Sequence, residues 1–278
     1  MSTIVADDDC VAFLQWALPR LGRRWDGYRK VRRRVCRVIW RRVGELDLPS
    51  LAEYRRRLEH DPAEWVHLDR LVDVTISRFY RDRSVFDHLR SEILPLLVRR
   101  ARAAGRDTVH AWCTGCACGE EPYTLSVMWD LCVAEQAGGV GFDVLATDVK
   151  PVVLRRAREA RYPPSSVRDL PQEWRAAAFR GEGEDVLLTV EHRRRVRFVE
   201  HDVRDAPPGP PAGFDLILCR YQAFTYFDEA GRRSALDAFA RVTRPGAVLV
   251  LGRRETVPED EHRFTPLSAT QSVFERTV

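Results

Sequence analysis

The spacing of apolar residues changes character about a third of the way along the chain. Up to residue 100 it is helical. Val31, Val35, Val38 and Ile39 fall on one helical stripe, while Arg33, Arg34, Arg37 and Arg41 point elsewhere. Ser50 and Glu53, three residues apart, form a capping box that opens a helix through Tyr54 and Leu58. Asp61, Pro62 and Glu64 mark a second start, with Pro62 at the first helical position and Trp65, Leu68 and Val72 as the buried stripe. A further helix from about Ser84 keeps Phe86, Leu89, Ile93 and Leu97 in register.

From Thr108 onward, short apolar runs alternate with helical segments. Strands are predicted at 109–113, 142–146, 196–199, 214–218 and 247–251, and helices at 122–135, 151–160 and 229–242. This alternation means a parallel sheet with crossovers, so the fold class is α/β. A small all-helical domain over 1–82 precedes a larger domain over 83–278. The proline-rich stretches 162–171 and 207–211 read as loops or lids. Residues 162–196 leave room for a small subdomain, in which 186–190 is strand-like.

Bulk properties narrow the class. A hydrophobic fraction of 45% and a charged fraction of 31% over 278 residues describe a globular chain. No apolar run reaches the length of a membrane span, and the start shows no secretory pattern, so a cytoplasmic location without membrane insertion is expected. Seven cysteines without regular spacing suit a reducing compartment. The net charge of +4 is unevenly spread, because residues 20–42 carry many Arg and Lys and a single acid, Asp26. Such a run either attracts an anionic partner or is a solvated helix face in an arginine-rich protein.

Candidate chemistry gathers where the first strand of the sheet ends, at Trp112-Cys-Thr-Gly-Cys-Ala-Cys-Gly-Glu-Glu-Pro-Tyr123. Small residues between a strand and a helix let the backbone approach a ligand, as at the nucleotide corner of a doubly wound fold. Gly115 and Gly119 do not have dinucleotide spacing, and Glu120 with Glu121 would repel a pyrophosphate. A cationic ligand fits better, and the sulfonium and ammonium groups of S-adenosyl-L-methionine are cations. Asp148, ending the second strand, is placed to accept hydrogen bonds from ribose hydroxyls. Cys113, Cys116 and Cys118 lack a well-spaced fourth ligand, so small side chains in a tight turn are preferred to a metal site.

Four motifs then resemble one family. Thr75-Ile-Ser-Arg-Phe-Tyr-Arg-Asp82 is similar to the T/S-x-F-F-R-D motif ahead of the catalytic domain of the chemotaxis-receptor protein-glutamate O-methyltransferases. The 112–123 loop, Phe214-Asp-Leu-Ile-Leu-Cys-Arg220 with Tyr226 and Phe227, and the Arg244-Pro-Gly246 to Glu255 ending resemble the other three. The resemblance implies a Rossmann-like domain dependent on S-adenosyl-L-methionine, with S-adenosyl-L-homocysteine as product. It implies that Thr75, Ser77 and Arg81 close over the cofactor, with Arg81 beside the transferred methyl. Glu121 or Glu120 would hold the methionine ammonium, Asp148 the ribose, and Asp202 with Val203 the adenine. Gly115, Arg220 and Tyr221 complete the cofactor side, and Tyr226 faces the acceptor. In the family, basic N-terminal helices dock an acidic receptor helix. The sequence departs from the family at Tyr221 and Gln222, where Asn is usual, and the stretch to Tyr226 is one residue longer.

Methyl transfer from a sulfonium demands alignment and exclusion of water. A carboxylate acceptor, with a pKa of roughly 4, is already ionised and needs no base. His110, His192 and His201 lie in no motif, which favours a carboxylate over an amine or phenol. The expected activity is therefore carboxylate methylation of an acidic helical protein substrate. Two alternatives stay open: a small carboxylate-bearing molecule as acceptor, or a non-catalytic module that senses the cofactor or binds nucleic acid, the last disfavoured.

Overall fold

The computed structural model describes residues 3–209, 213–267 and 272–277. Positions 210 and 211 of the proline-rich stretch lie outside them. The chain separates into two compact units, Met1–Thr75 with Thr225–Arg233, and Ile76–Phe224 with Ser234–Val278. The first unit therefore ends before residue 82 and takes in a later segment that sequence alone assigns to the larger domain.

The first unit is helical: Thr3–Arg20, Trp25–Tyr28, Arg32–Glu45, Leu51–His60 and Pro62–Val72. Ser50 caps its helix by accepting from the Glu53 amide, and Asp61 accepts from the Ala63 amide. The first helix was not among the expected elements, yet Cys10, Phe13, Leu14, Ala17 and Leu18 are buried at helical spacing. The run Asp7, Asp8 and Asp9 at its start reads instead as a polar terminus. Cys10 and Cys36 are joined in a disulfide, with Cα atoms 5.9 Å apart, although the irregular cysteine spacing offered no disulfide framework. Both occupy buried positions on facing helices, and that proximity is invisible in their spacing.

Part of the basic run is interior. Arg23 donates from Nε to Asp69 (2.8 Å), from one terminal nitrogen to Asp73 (2.6 Å) and from the other to the Tyr28 hydroxyl. Arg42 pairs with Glu64, which also accepts from the Tyr54 hydroxyl. Arg33, Arg34, Arg37 and Arg41 are exposed on one face of the Arg32–Glu45 helix, and Arg20, Arg29 and Lys30 are exposed ahead of it.

The second unit contains ten strands in two sheets among the described residues. In chain order they are β1 Thr108–Thr114, β2 Gly141–Asp148, β3 Arg161–Tyr162, β4 Phe179–Glu182, β5 Asp185–Leu188, β6 Val196–Glu200, β7 Phe214–Cys219, β8 Thr243–Leu251, β9 Phe264–Pro266 and β10 Val273–Arg276. The main sheet has the order β6-β2-β1-β7-β8-β10-β9. Its first five strands are parallel, and β10 is antiparallel to both β8 and β9. Cys113 of β1 lies beside Ala146 on one side and Leu218 on the other. From β1 the chain builds outward through β2 and β6, then returns to the other side of β1 through β7 and β8. The crevice beyond the carboxyl ends of β1 and β7 is thus the topological switch point, the ligand position in such sheets.

Side chains alternate across β1. Val109, Ala111 and Cys113 enter the main core with Leu94, Leu97, Val98 and Leu125. Trp112 points the other way, stacks on Phe214, meets Phe239 edge-on, and donates its indole N–H to Thr147. β3, β5 and β4 form a separate antiparallel sheet between β2 and β6 in the sequence.

The helix after β1 spans Glu120–Met128 and continues as a π turn over Trp129–Val133. It begins two residues earlier than Pro122, which falls inside the first turn where a missing N–H costs nothing. At the opposite, amino end of the strands, Asp215 is buried. It accepts from Arg106 and Arg244 (2.7 Å each) and from the His110 amide (2.9 Å). Removing one member of such a cluster leaves uncompensated charge. Asp215→Ala is expected to lower the unfolding free energy by about 3 kcal/mol in urea titration. A change below about 0.5 kcal/mol would show the cluster to be solvated in solution.

Candidate functional site

The loop from Gly115 to Gly119 turns the chain at the carboxyl end of β1, and three of its five residues are left-handed: Gly115 (φ +60°), Ala117 (φ +52°) and Gly119 (φ +90°). A non-glycine residue holds that conformation only when its surroundings fix it. Here the Asp148 carboxylate does so, accepting from the Ala117 amide (3.0 Å) and, through its other oxygen, from the Lys150 amide (3.0 Å). The Cys116 amide donates to the Thr147 carbonyl (2.9 Å). Asp148 thereby joins the ends of β1 and β2 at the edge of the crevice and is itself buried.

The two adjacent glutamates opening the next helix have separate fates. Glu121 is paired with Arg220 (2.6 Å), the residue after β7. Glu120 is buried, its carboxylate bonds the Ser77 side chain, and Oε2 has no hydrogen-bond partner. Burial pushes its carboxyl above the usual range. A buried carboxylate oxygen without a donor fits a ligand that brings its own, and an ammonium does.

Arg220 has a side chain only 2% exposed. Besides Glu121 it donates to Asp82 Oδ2 (2.6 Å) and to the Arg81 carbonyl (2.9 Å). This draws the segment after Ser77 to the crevice. Arg81 donates to the Ile76 carbonyl (2.9 Å), and its guanidinium carbon lies 3.9 Å from the centre of the Tyr221 ring.

Residues 75–273 match the family model described as CheR methyltransferase, SAM binding domain. The chain belongs to the CheR methyltransferase family. It is 31% identical over 208 residues to a chemotaxis protein methyltransferase of Listeria innocua, covering 75% of each chain. To a protein of the same description from Klebsiella aerogenes it is 28% identical over 240 residues, covering 84% of this chain and 78% of that one. Among solved structures, a SAM-dependent methyltransferase from Methanosarcina mazei aligns at 17% identity over 52% of each chain, with a TM-score of 0.32. This CheR-family chain is a methyltransferase that uses S-adenosyl-L-methionine, built as a Rossmann-like α/β domain preceded by helices.

Ser77, Arg81, Gly115, Glu120, Glu121, Asp148, Arg220 and Tyr221 all lie in the second unit. Thr75 and Tyr226 fall in the first. There the Tyr226 ring is 4.9 Å from that of Tyr28, and its carbonyl accepts from the Arg24 amide. Asp202 follows β6 and holds the Arg204 guanidinium (2.6 Å), while Val203 beside it is buried. Glu255 was not among the expected site residues. Buried after β8, it accepts from the Tyr221 and Gly252 amides and fixes the turn after β7. Its only sequence signal was membership of the final motif. Cys113 and Cys116 are buried with thiols pushed well up by burial, so they act as small apolar side chains.

These residues fit the cofactor by charge: Glu120 offers an unmet acceptor to an ammonium, and Asp148 borders the crevice. Glu120→Gln is expected to weaken S-adenosyl-L-methionine binding about thirtyfold, roughly 2 kcal/mol for a charged hydrogen bond. Because only the ionised carboxylate attracts the cation and its pKa is raised, wild-type affinity should rise with pH through that raised value and fall below it. Calorimetry of both proteins between pH 5 and 8 reads this; equal affinities would place the ammonium elsewhere.

Proposed function

We propose that this methyltransferase esterifies a carboxylate, namely a glutamate on an acidic helical protein partner. The observation that carries the reading is the sorting of charge around Arg81. Asp82, its neighbour in the chain, and Glu121 are both paired with Arg220. Arg81 has only a carbonyl and an aromatic face as partners, with no carboxylate on it among the described residues. A guanidinium with its fork free of acids is suited to a bidentate carboxylate.

The lack of a base supports the same reading. His192 is bonded to Asp130 and His201 to the Ala206 carbonyl. The Tyr221 phenol is pushed up by burial and by its bond to Asp82, so it is a donor rather than a base. An acceptor already ionised at neutral pH needs neither. The bound cofactor supplies the methyl group and the sulfonium that leaves as thioether. The chain's own contribution is to hold the ammonium at Glu120, orient the carboxylate at Arg81, and present the loop backbone at Asp148 as a rigid edge. Alignment of this kind is the main source of rate for an in-line displacement.

The exposed Arg33, Arg34, Arg37 and Arg41 give the first unit a basic helix face that complements an acidic helix. The curated relatives carry the name chemotaxis protein methyltransferase, which agrees with a protein acceptor.

With cofactor labelled in the methyl group and a glutamate-rich helical peptide as acceptor, incorporated label should leave as volatile methanol at alkaline pH. Label stable to base would overturn the ester reading. Label found only on free dicarboxylates would move the acceptor to a small molecule. Arg81→Ala should reduce kcat about a hundredfold, the scale of one lost electrostatic contact, with cofactor affinity little changed.

A further inference from the structure

We propose that Tyr221 is a positioning residue for the transfer: its ring is the platform that fixes the Arg81 guanidinium over the crevice before any acceptor arrives. The proposal rests on the reading of Arg81 given above. Position 221 follows the carboxyl end of β7, so the side chain leaves the sheet at the switch point.

The backbone there is left-handed (φ +55°), which a bulky aromatic residue adopts only at a cost. Glycine or asparagine would hold the turn with less strain. The ring is instead held on every side. Its backbone N–H donates to Glu255 (2.9 Å). Its hydroxyl donates to Asp82 Oδ2 (2.5 Å) and accepts from the Arg253 amide (3.2 Å). Its edge rests on Gly252, where an added Cβ would come within 2.7 Å of the ring. Arg81 covers the ring at 3.9 Å. A strained residue that its surroundings over-determine is the pattern of a functional position.

The linkage to Arg81 is double. Asp82, the next residue, accepts from both the Tyr221 hydroxyl and Arg220, so the Arg81 backbone is tied to the same ring its side chain covers. An arginine has several rotatable bonds, and an unsupported one would sample many positions. Stacked on a fixed face, it presents one edge of its fork to the crevice and keeps the geometry that bidentate contact requires. Gln222 beside it takes no part in this support, since its Oε1 accepts from Thr114 and its amide packs on Gly115.

The test uses the full chain loaded with S-adenosyl-L-homocysteine and labelled at its arginine side chains for NMR. Loss of one Hε signal in Arg81→Lys assigns Arg81. In wild type and Tyr221→Phe that signal should lie upfield, under the ring current. In Tyr221→Asn, where the new residue accepts the left-handed backbone, it should move to the position of a solvated arginine. Tyr221→Gly is the second variant should the first fail to fold. The far-ultraviolet circular dichroism and the urea unfolding midpoint should stay close to wild type throughout, which separates positioning from collapse of the fold. With the glutamate-rich peptide, Tyr221→Asn should lose roughly tenfold to a hundredfold in kcat, and adding it to Arg81→Ala should cost nothing more. An Arg81 signal unmoved by loss of the ring, or additive losses in the double variant, would overturn the proposal. Base-stable label on the peptide would strike the carboxylate reading instead and leave the stacking result standing.

Discussion

The ion pairs of Arg220 are the contact on which the rest of the site depends. A guanidinium almost wholly removed from water is expensive, on the order of several kcal/mol, unless carboxylates and carbonyls meet its donors. Here two acids from different segments meet its terminal nitrogens, Glu121 from the helix after β1 and Asp82 from the segment leading into the domain, the Arg81 carbonyl takes a further bond, and Nε alone has no hydrogen-bond partner. The consequence is a division of labour among acids that the sequence places side by side. Glu121 and Asp82 are consumed internally. Glu120 keeps an unmet acceptor. Arg81 is left without an acid. The crevice therefore offers the unmet acceptor of Glu120 and the acid-free guanidinium of Arg81, with the buried Asp148 at its edge.

That arrangement holds the backbone in costly conformations. Tyr80, Asp82, Ala117 and Tyr221 are all left-handed without being glycine, and each such residue costs on the order of 1 kcal/mol or more. Each is secured by something specific. The Tyr80 amide donates to Thr124, and its ring packs on Phe86 and Trp174. Ala117 is secured by Asp148, and Asp82 and Tyr221 by Arg220 and each other. None of the four is glycine, although Gly115 and Gly119 take the same conformation in the loop that holds Ala117. The side chains at these positions are doing something a glycine could not: Asp82 a charge, Tyr221 a surface.

Much of the fold was legible because the sheet is buried on both faces. Strands β1, β2 and β7 announce themselves as short apolar runs, and the capping residues Ser50 and Asp61 mark helix starts by chemistry that does not depend on tertiary contacts. What escaped was long-range pairing. Cys10 with Cys36, Arg23 with Asp69 and Asp73, and Asp215 with Arg106 and Arg244 join residues whose spacing carries no signal. The site shows the same limit at close quarters. Sequence named Glu120 and Glu121 together and could not divide their roles. Adjacent helical residues diverge by about 100°, and only the fold decides which faces Arg220 and which Ser77.

The same distinction governs what a basic composition means. Residues 20–42 read as one patch, but Arg23 and Arg42 are spent on Asp69, Asp73 and Glu64 and contribute little field outside. Outward charge includes the face carrying Arg33, Arg34, Arg37 and Arg41, on a helix whose other face buries Val35, Cys36, Ile39 and Val43. Arg33, Arg37 and Arg41 follow one another at four-residue steps with Arg34 beside them, so the four guanidinium groups make a linear array. An acidic helix lying alongside can match such an array, whereas a small carboxylate meets only one or two of its members. Whether this face matters thus turns on acceptor size. On the proposal that Arg81 orients the carboxylate, it would serve either acceptor, and only a macromolecular one would engage the outer arginines.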